Sequence, residues 1–153
     1  MRYTTKTEYG LICMIHIAHH HEATKITIRQ IAEQEGYPLP YLEKILQHLK
    51  HAGLVESFQG PAGGYRLARP ASEITLRQMI DALEGATFDI FCNNDVREDI
   101  VCNHICLCGV KPVWRRTKDL LDRFFDSITL ETLAKDPTQV QSLIPVMKEA
   151  AHG

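Results

Sequence analysis

Apolar positions recur at helical spacing from about Thr7 to His20. Leu11, Ile12, Ile15 and Ala18 share one stripe, which Met14 and Ile17 widen, and this predicts an amphipathic helix largely buried in a core. Cys13 lies among them and reads as a small core residue. In "KITIRQIAEQEGYP", Thr27 and Gln30 form a capping box ahead of a short helix that Gly36 ends. The segment "PYLEKILQHLKHAGLV" places Leu42, Ile45, Leu46 and Leu49 on one face, with Pro40 near its start and Gly53 as a stop. Two short helices joined by a turn over Gly36 to Leu39 make a helix-turn-helix.

A short strand, a Gly-Pro-Ala-Gly-Gly turn and a second strand ending near Pro70 follow in "LVESFQGPAGGYRLARP". A hairpin directly after a helix-turn-helix is a wing, and its glycines would let backbone approach a phosphate with Arg66 and Arg69 beside it. "ITLRQMIDALEG" repeats the capping logic, with Thr75 and Gln78 opening a helix that Gly85 closes. A long helix is expected from Pro112 to about Ser127. Its apolar residues Trp114, Leu120, Leu121, Phe124 and Phe125 form a broad stripe, while Arg115, Arg116, Lys118, Asp119, Asp122 and Arg123 face elsewhere. One small winged domain cannot cover so much apolar surface, whereas a second copy can, so the helix is read as a dimer helix. The tail after Asp136, broken by Pro145, is expected to be a loose helix or partly disordered.

The expected fold is therefore mainly α with a small β-wing. It divides into a winged helix-turn-helix over 1–84, a cysteine-rich loop over 85–111, a dimerisation helix with a short following helix over 112–135, and a tail over 136–153. The net charge of -2 does not announce a nucleic-acid binder. Its distribution is more suggestive, since residues 1–70 carry eight Lys/Arg against six Asp/Glu while the remainder carries nine against thirteen. Adjacent His19, His20 and His21 point in different directions on a helix and do not converge on one ion. No catalytic triad or phosphate loop points to an enzyme.

Four of the five cysteines fall in "CNNDVREDIVCNHICLCG". The N-terminus offers no signal-peptide pattern and no stretch approaches bilayer length, so a reducing cytoplasm is expected, with no membrane association. There, clustered cysteines are metal ligands or redox centres more often than disulfides. Soft thiolates on a flexible loop suit an iron-sulfur cluster. Cys92, Cys102, His104, Cys106 and Cys108 could also fill a zinc tetrahedron, although paired C-x-x-C knuckles are missing, and a metal-free thiol switch is a further alternative. An electron-transfer or cluster-carrier protein would need such a loop but not a recognition helix and wing.

The opening "RYTTKTEYGL", the helix "YLEKILQHLKHAGLV", the wing "GPAGGYRLARP", the cysteine loop and the later "ITLETLAKD" together resemble the Rrf-type winged-helix transcriptional regulators, the group of IscR, NsrR, RirA and CymR. The resemblance spans roughly residues 1–135 and implies a homodimer on a pseudo-palindromic operator in double-stranded DNA. It also implies a cluster, of the two-iron two-sulfur or four-iron four-sulfur type, held by Cys92, Cys102 and Cys108. Cys108 lies six residues before Trp114 as the family's last cysteine does, Cys102 six earlier still, and Cys106 is then a spare or alternative ligand. Glu8 corresponds to an acidic ligand that some relatives deliver across the dimer interface. The expected DNA-binding set is Arg2, Lys6, Arg29, Tyr41, Glu43, Lys44, Gln47, His48, Gln59, Gly60, Pro61, Gly63, Gly64 and Arg66. Three departures stand out: the gap from Cys92 to Cys102 is longer than usual, Gln59 stands where many members carry arginine, and Pro40 precedes the tyrosine of the recognition helix.

Overall fold

The structure, a computed structural model, describes residues 3–20, 25–60, 63–88 and 108–143. Helix α1, Thr5–His19, is followed by α2, Ile28–Glu35, and α3, Leu39–His51. The Thr27 hydroxyl accepts from the Gln30 amide while the Gln30 side chain accepts from the Thr27 amide, and α2 ends at Gly36 with φ 69°. Strands β1, Val55–Phe58, and β2, Gly64–Leu67, pair antiparallel in the register Val55 to Leu67 and Phe58 to Gly64. Ile26 bridges to Tyr65, so the chain entering α2 adds a third edge to this small sheet. After a 3-10 turn at Ala71–Glu73 come α4, Leu76–Glu84, with its own Thr75–Gln78 capping box, α5, Val110–Asp126, α6, Leu130–Leu133, and α7, Pro137–Leu143.

The core lies where α1, α3 and α4 meet, and Leu42, Ile45, Leu46 and Leu49 of α3 are all fully buried there. Truncating a leucine so enclosed costs about 2–5 kcal/mol, because lost contacts add to the cavity left behind. The buried side of α1 is formed by Thr7, Gly10, Cys13, Met14 and Ile17, whereas Leu11, Ile12, Ile15 and Ala18 are half-buried. The bulky stripe expected from the sequence is thus displaced. Its deepest line includes Gly10, where an added Cβ would lie 2.5 Å from one Leu83 methyl, so α1 and α4 approach more closely than side chains would allow. Helix α1 also begins two residues before the expected Thr7.

Helix α5 starts at Val110, two residues before the expected Pro112. Proline is tolerated in a first turn because its missing N–H would have had no intrahelical acceptor. The segment after α5 returns to the first half: the Leu76 amide donates to Ile128 O at 2.8 Å, and the Leu130 amide donates to Ile74 O at 2.8 Å. Leu130 therefore lies in the same core as α1 and α3. The start of the expected loose tail is helical, as α7, and its remainder lies outside the described residues. No helix among the described residues is long and apolar enough to cross a membrane.

Candidate nucleic-acid interface and cysteine site

The apolar side of α3 is consumed by the core, so its opposite face carries Glu43, Lys44, Gln47 and His48, all exposed. His48 Nδ1 sits 2.7 Å from Lys44 O, which holds the imidazole along the helix. Tyr41 differs: it is half-buried and meets the Tyr9 ring edge-on, with centroids 5.7 Å apart. Tyr9 in turn stacks on Tyr37 of the inter-helical turn, at 3.8 Å and 7° between planes. This ladder ties α1 to the start of α3 and fixes how the exposed face is presented. The Tyr37 hydroxyl is pushed above its ordinary range, first by burial and then by surrounding groups that include Glu35 and Glu8. Glu8, on the first turn of α1, is solvent-exposed.

At the wing, Gln59 and Gly60 are exposed and Gly63 and Gly64 half-buried, while Pro61 lies outside the described residues. Arg66 is exposed but not uncommitted: its Nε donates to Glu56 Oε2 at 2.9 Å, and its Nη2 lies 2.8 Å from the same oxygen. Its guanidinium also rests 4.7 Å from the Phe58 ring centroid. Arg69 Nη2 donates to Gln78 at 2.9 Å. Lys6, half-buried near the start of α1, acts on Glu84, and Arg29 is exposed in the first turn of α2. Arg2 lies outside the described residues.

Of the loop cysteines, Cys108 alone is described, as a free and half-buried thiol directly before Gly109, the residue that caps α5. Cys92, Cys102, His104 and Cys106 lie outside the described residues, and no group of three or more metal-binding side chains converges among the described ones. Cys13 is a different kind of thiol. Burial, with the Glu35 charge adding, pushes it up to about 12, so it remains protonated and unsuited to ligation.

The frame of the loop is more elaborate than its composition suggested. Thr87, just before the loop, donates from its hydroxyl to Asp122 of α5. Asp122 also accepts from Lys118 at 2.7 Å and lies 3.4 Å from the Arg77 guanidinium, which reaches Asp126 at 2.8 Å. At the other end of α4, Glu84 accepts from the hydroxyls of Thr4 and Thr7. The Tyr3 hydroxyl donates to Thr87 O at 3.3 Å, and the Tyr3 ring meets Phe125 edge-on. The first turn of α1, the end of α4, the loop entrance and α5 are thus fastened together.

Helix-turn-helix, wing and long helix stand in the order of a winged-helix regulator, and the comparisons agree. The Rrf2 family, described as iron-dependent transcriptional regulators, matches residues 3–136. The chain belongs to the Rrf2 family. It is 34% identical over 136 residues to the transcriptional regulator IscR of Vibrio atlanticus, covering 89% of this chain and 76% of that one. It is 30% identical to protein rrf2 of Nitratidesulfovibrio vulgaris, covering 89% of each. Among solved structures, CymR, the global cysteine regulator of B. subtilis, matches with TM-score 0.72 and 32% identity over 89% of this chain and 99% of that one. IscR of T. potens matches with TM-score 0.64 and 32% identity over 86% and 84%.

As an Rrf2 member the chain is a DNA-binding transcriptional regulator and not an enzyme. Sequence reasoning placed the exposed residues of its recognition helix on one face, since helical period alone separates them from the core. It missed the Tyr9–Tyr37 stack, the Glu56 partner of Arg66, and Lys25, whose Nζ sits 4.0 Å from the Phe58 centroid. Asp122, expected to face away from the packed stripe, is 8% exposed. The i,i+4 pair of Lys118 and Asp122 was visible in the sequence, but its burial was not.

Proposed function

We propose that this regulator binds a pseudo-palindromic operator as a homodimer, with an affinity set by an iron-sulfur cluster bound to Cys92, Cys102 and Cys108. The observation that carries the reading is the position of Cys108: a free thiol at the root of a helix that Asp122 ties both to α4 and to the loop entrance at Thr87. The donor set suits the group, because four thiols and no disulfide-favouring context leave soft ligands available, whereas Cys13 is sealed away. When bound, the cluster supplies an iron- and oxidant-sensitive crosslink among these thiolates. Glu8 of the partner subunit would complete the ligand set, and Cys106 remains an uncommitted thiol. The Thr87–Asp122 contact fixes the loop entrance against α5, and the Tyr9, Tyr37 and Tyr41 rings connect α1 to the recognition helix.

Support for the dimer comes from α5, where Val110, Val113 and Trp114 are 50%, 58% and 44% exposed within one protomer. On the DNA side, Glu43, Lys44, Gln47 and His48 would face base edges and phosphates, flanked by the wing from Gln59 to Arg66. Changing Glu43 should alter base preference, since a carboxylate accepts from the cytosine amino group.

Anaerobic purification with iron and sulfide analysis tests the reading, together with DNA binding before and after iron removal. Cys92→Ala, Cys102→Ala and Cys108→Ala should each lose the iron, while Cys106→Ala keeps most of it. Full iron in the Cys108 variant, or loss only in the Cys106 variant, overturns this ligand set. Glu8→Ala should shift the absorption spectrum without unfolding the protein, and an unchanged spectrum returns Glu8 to a solvated carboxylate. A zinc site or metal-free thiol switch is the second reading, favoured by the half-buried free Cys108 and the likeness to CymR. Iron-free protein whose DNA affinity responds reversibly to peroxide and dithiothreitol would select the thiol switch, and one mole of tightly held zinc per chain would select zinc.

A further inference from the structure

The outward face of the wing follows from strand alternation. Glu56 and Phe58 of β1 share a face with their partners Arg66 and Gly64 of β2, while Val55 turns into the core. Ile26 bridges to Tyr65 and is buried, so its neighbour Lys25 emerges on the outward side. Gly64 makes this possible. A Cβ there would lie 2.8 Å from Ile26 O and 3.1 Å from the Lys25 Cβ, so only glycine lets the incoming chain cross so close to β2. At Gly64 the space that a side chain would take is filled by the protein's own chain.

The result is an aromatic ring with two cations. Lys25 Nζ is 4.0 Å and Arg66 Cζ 4.7 Å from the Phe58 centroid. Their charges are not equivalent. Arg66 is neutralised by Glu56 at 2.8 Å, whereas among the described residues Lys25 has no carboxylate partner. An exposed ammonium, positioned by a ring beside the Gln59–Gly60 turn and facing no acid among the described residues, is what a DNA phosphate requires.

We propose that Lys25 is a phosphate contact of the wing, positioned by Phe58, and that Arg66 is committed to Glu56 and adds no contact of its own. This rests on the DNA-binding role of the family and is independent of the cluster. The test measures the affinity of the full-length protein for a duplex selected from a random pool, by fluorescence anisotropy across a salt series. Lys25→Gln should lower the slope of log affinity against log salt by about 0.9 per subunit bound, so that between about 50 and 200 mM salt roughly 3–4-fold less affinity is lost per subunit, or about 12-fold for a dimer with both wings on DNA. The charge-neutral double variant Glu56→Gln with Arg66→Gln should leave the slope unchanged. Glu56→Gln alone releases Arg66 and should steepen it. An unchanged slope in Lys25→Gln, or a drop in the double variant as large as in Lys25→Gln, overturns the proposal. A wild-type protein that selects no duplex at all would defeat the DNA-binding role itself, and the proposal with it. Circular dichroism checks that each variant is folded, which the exposure of all three charged side chains favours.

Discussion

Asp122→Asn tests whether the junction between α4, α5 and the loop entrance is held by charge. The wild-type carboxylate accepts from Thr87 and Lys118 and faces Arg77 at 3.4 Å, with its side chain 12% exposed. Hydrogen bonds to a charged group contribute about 1.5–3 kcal/mol each, and breaking a fully buried pair costs about 3–5 kcal/mol. Here Lys118 and Arg77 are 31% and 36% exposed and regain water when abandoned, and Arg77 keeps Asp126. The expected loss is therefore nearer ~2 kcal/mol, or about 4–8 °C in Tm for a chain of this size. Urea unfolding at fixed protomer concentration measures it. Asp126→Asn is the control, since Asp126 shares Arg77 but is 45% exposed, and it should cost about 0.5 kcal/mol or less. The pH dependence carries a second signature. Burial pushes the Asp122 carboxyl up, but hydrogen bonds from Lys118 and Thr87 and the charges of Lys118 and Arg77 outweigh it and hold it below the usual carboxylate range. A lowered folded-state value means stability that is complete above the ordinary carboxylate range and lost as pH falls through the lower folded value, so Asp122→Asn should flatten the acid limb. Glu84, lowered through Thr4 and Thr7 although burial opposes this, keeps its own share in that variant. A loss below about 0.5 kcal/mol, or an equal loss in both variants, refutes the reasoning.

Gly10→Ala should destabilise the protein by about 1 kcal/mol net, because overpacking against Leu83 at about 1–3 kcal/mol exceeds the helix-propensity gain of about 1 kcal/mol. Urea unfolding reads it, and a more stable variant would show that α1 and α4 do not need the close approach. Cys13 should resist iodoacetamide at pH 8 in the native protein and react once urea unfolds it, as followed by peptide mass spectrometry. Native-state labelling of Cys13 at the rate of a free thiol would contradict its burial and its raised pKa.

What could be read from the sequence was what depends on residues close along the chain. Both capping boxes, Thr27 with Gln30 and Thr75 with Gln78, involve partners three apart, so the residue types nearly suffice. The buried face of α3 was equally legible, because Leu42, Ile45, Leu46 and Leu49 contrast with charged neighbours and helical period allows one orientation. Helix α1 offers no such contrast. It is apolar on most sides, and the small residues that let it approach α4, Thr7 and Gly10, carry no hydrophobic signal, so bulk drew the expected stripe toward Leu11 and Ile15. Asp122 was illegible for another reason: a charged residue on an amphipathic helix reads as solvated until Thr87, 35 positions earlier, is known to point at it. The wing shows both cases at once. Its hairpin is announced by glycines, yet the function of Gly64 depends on the Lys25–Ile26 chain crossing beside it, and the state of Arg66 depends on strand register, which pairs it with Glu56. A positive residue in a wing can be counted from sequence, but whether it already faces an acid depends on the residue directly across the ladder. That is why Arg66 drew notice and Lys25 did not, although of the two it is Lys25 that has no carboxylate partner among the described residues.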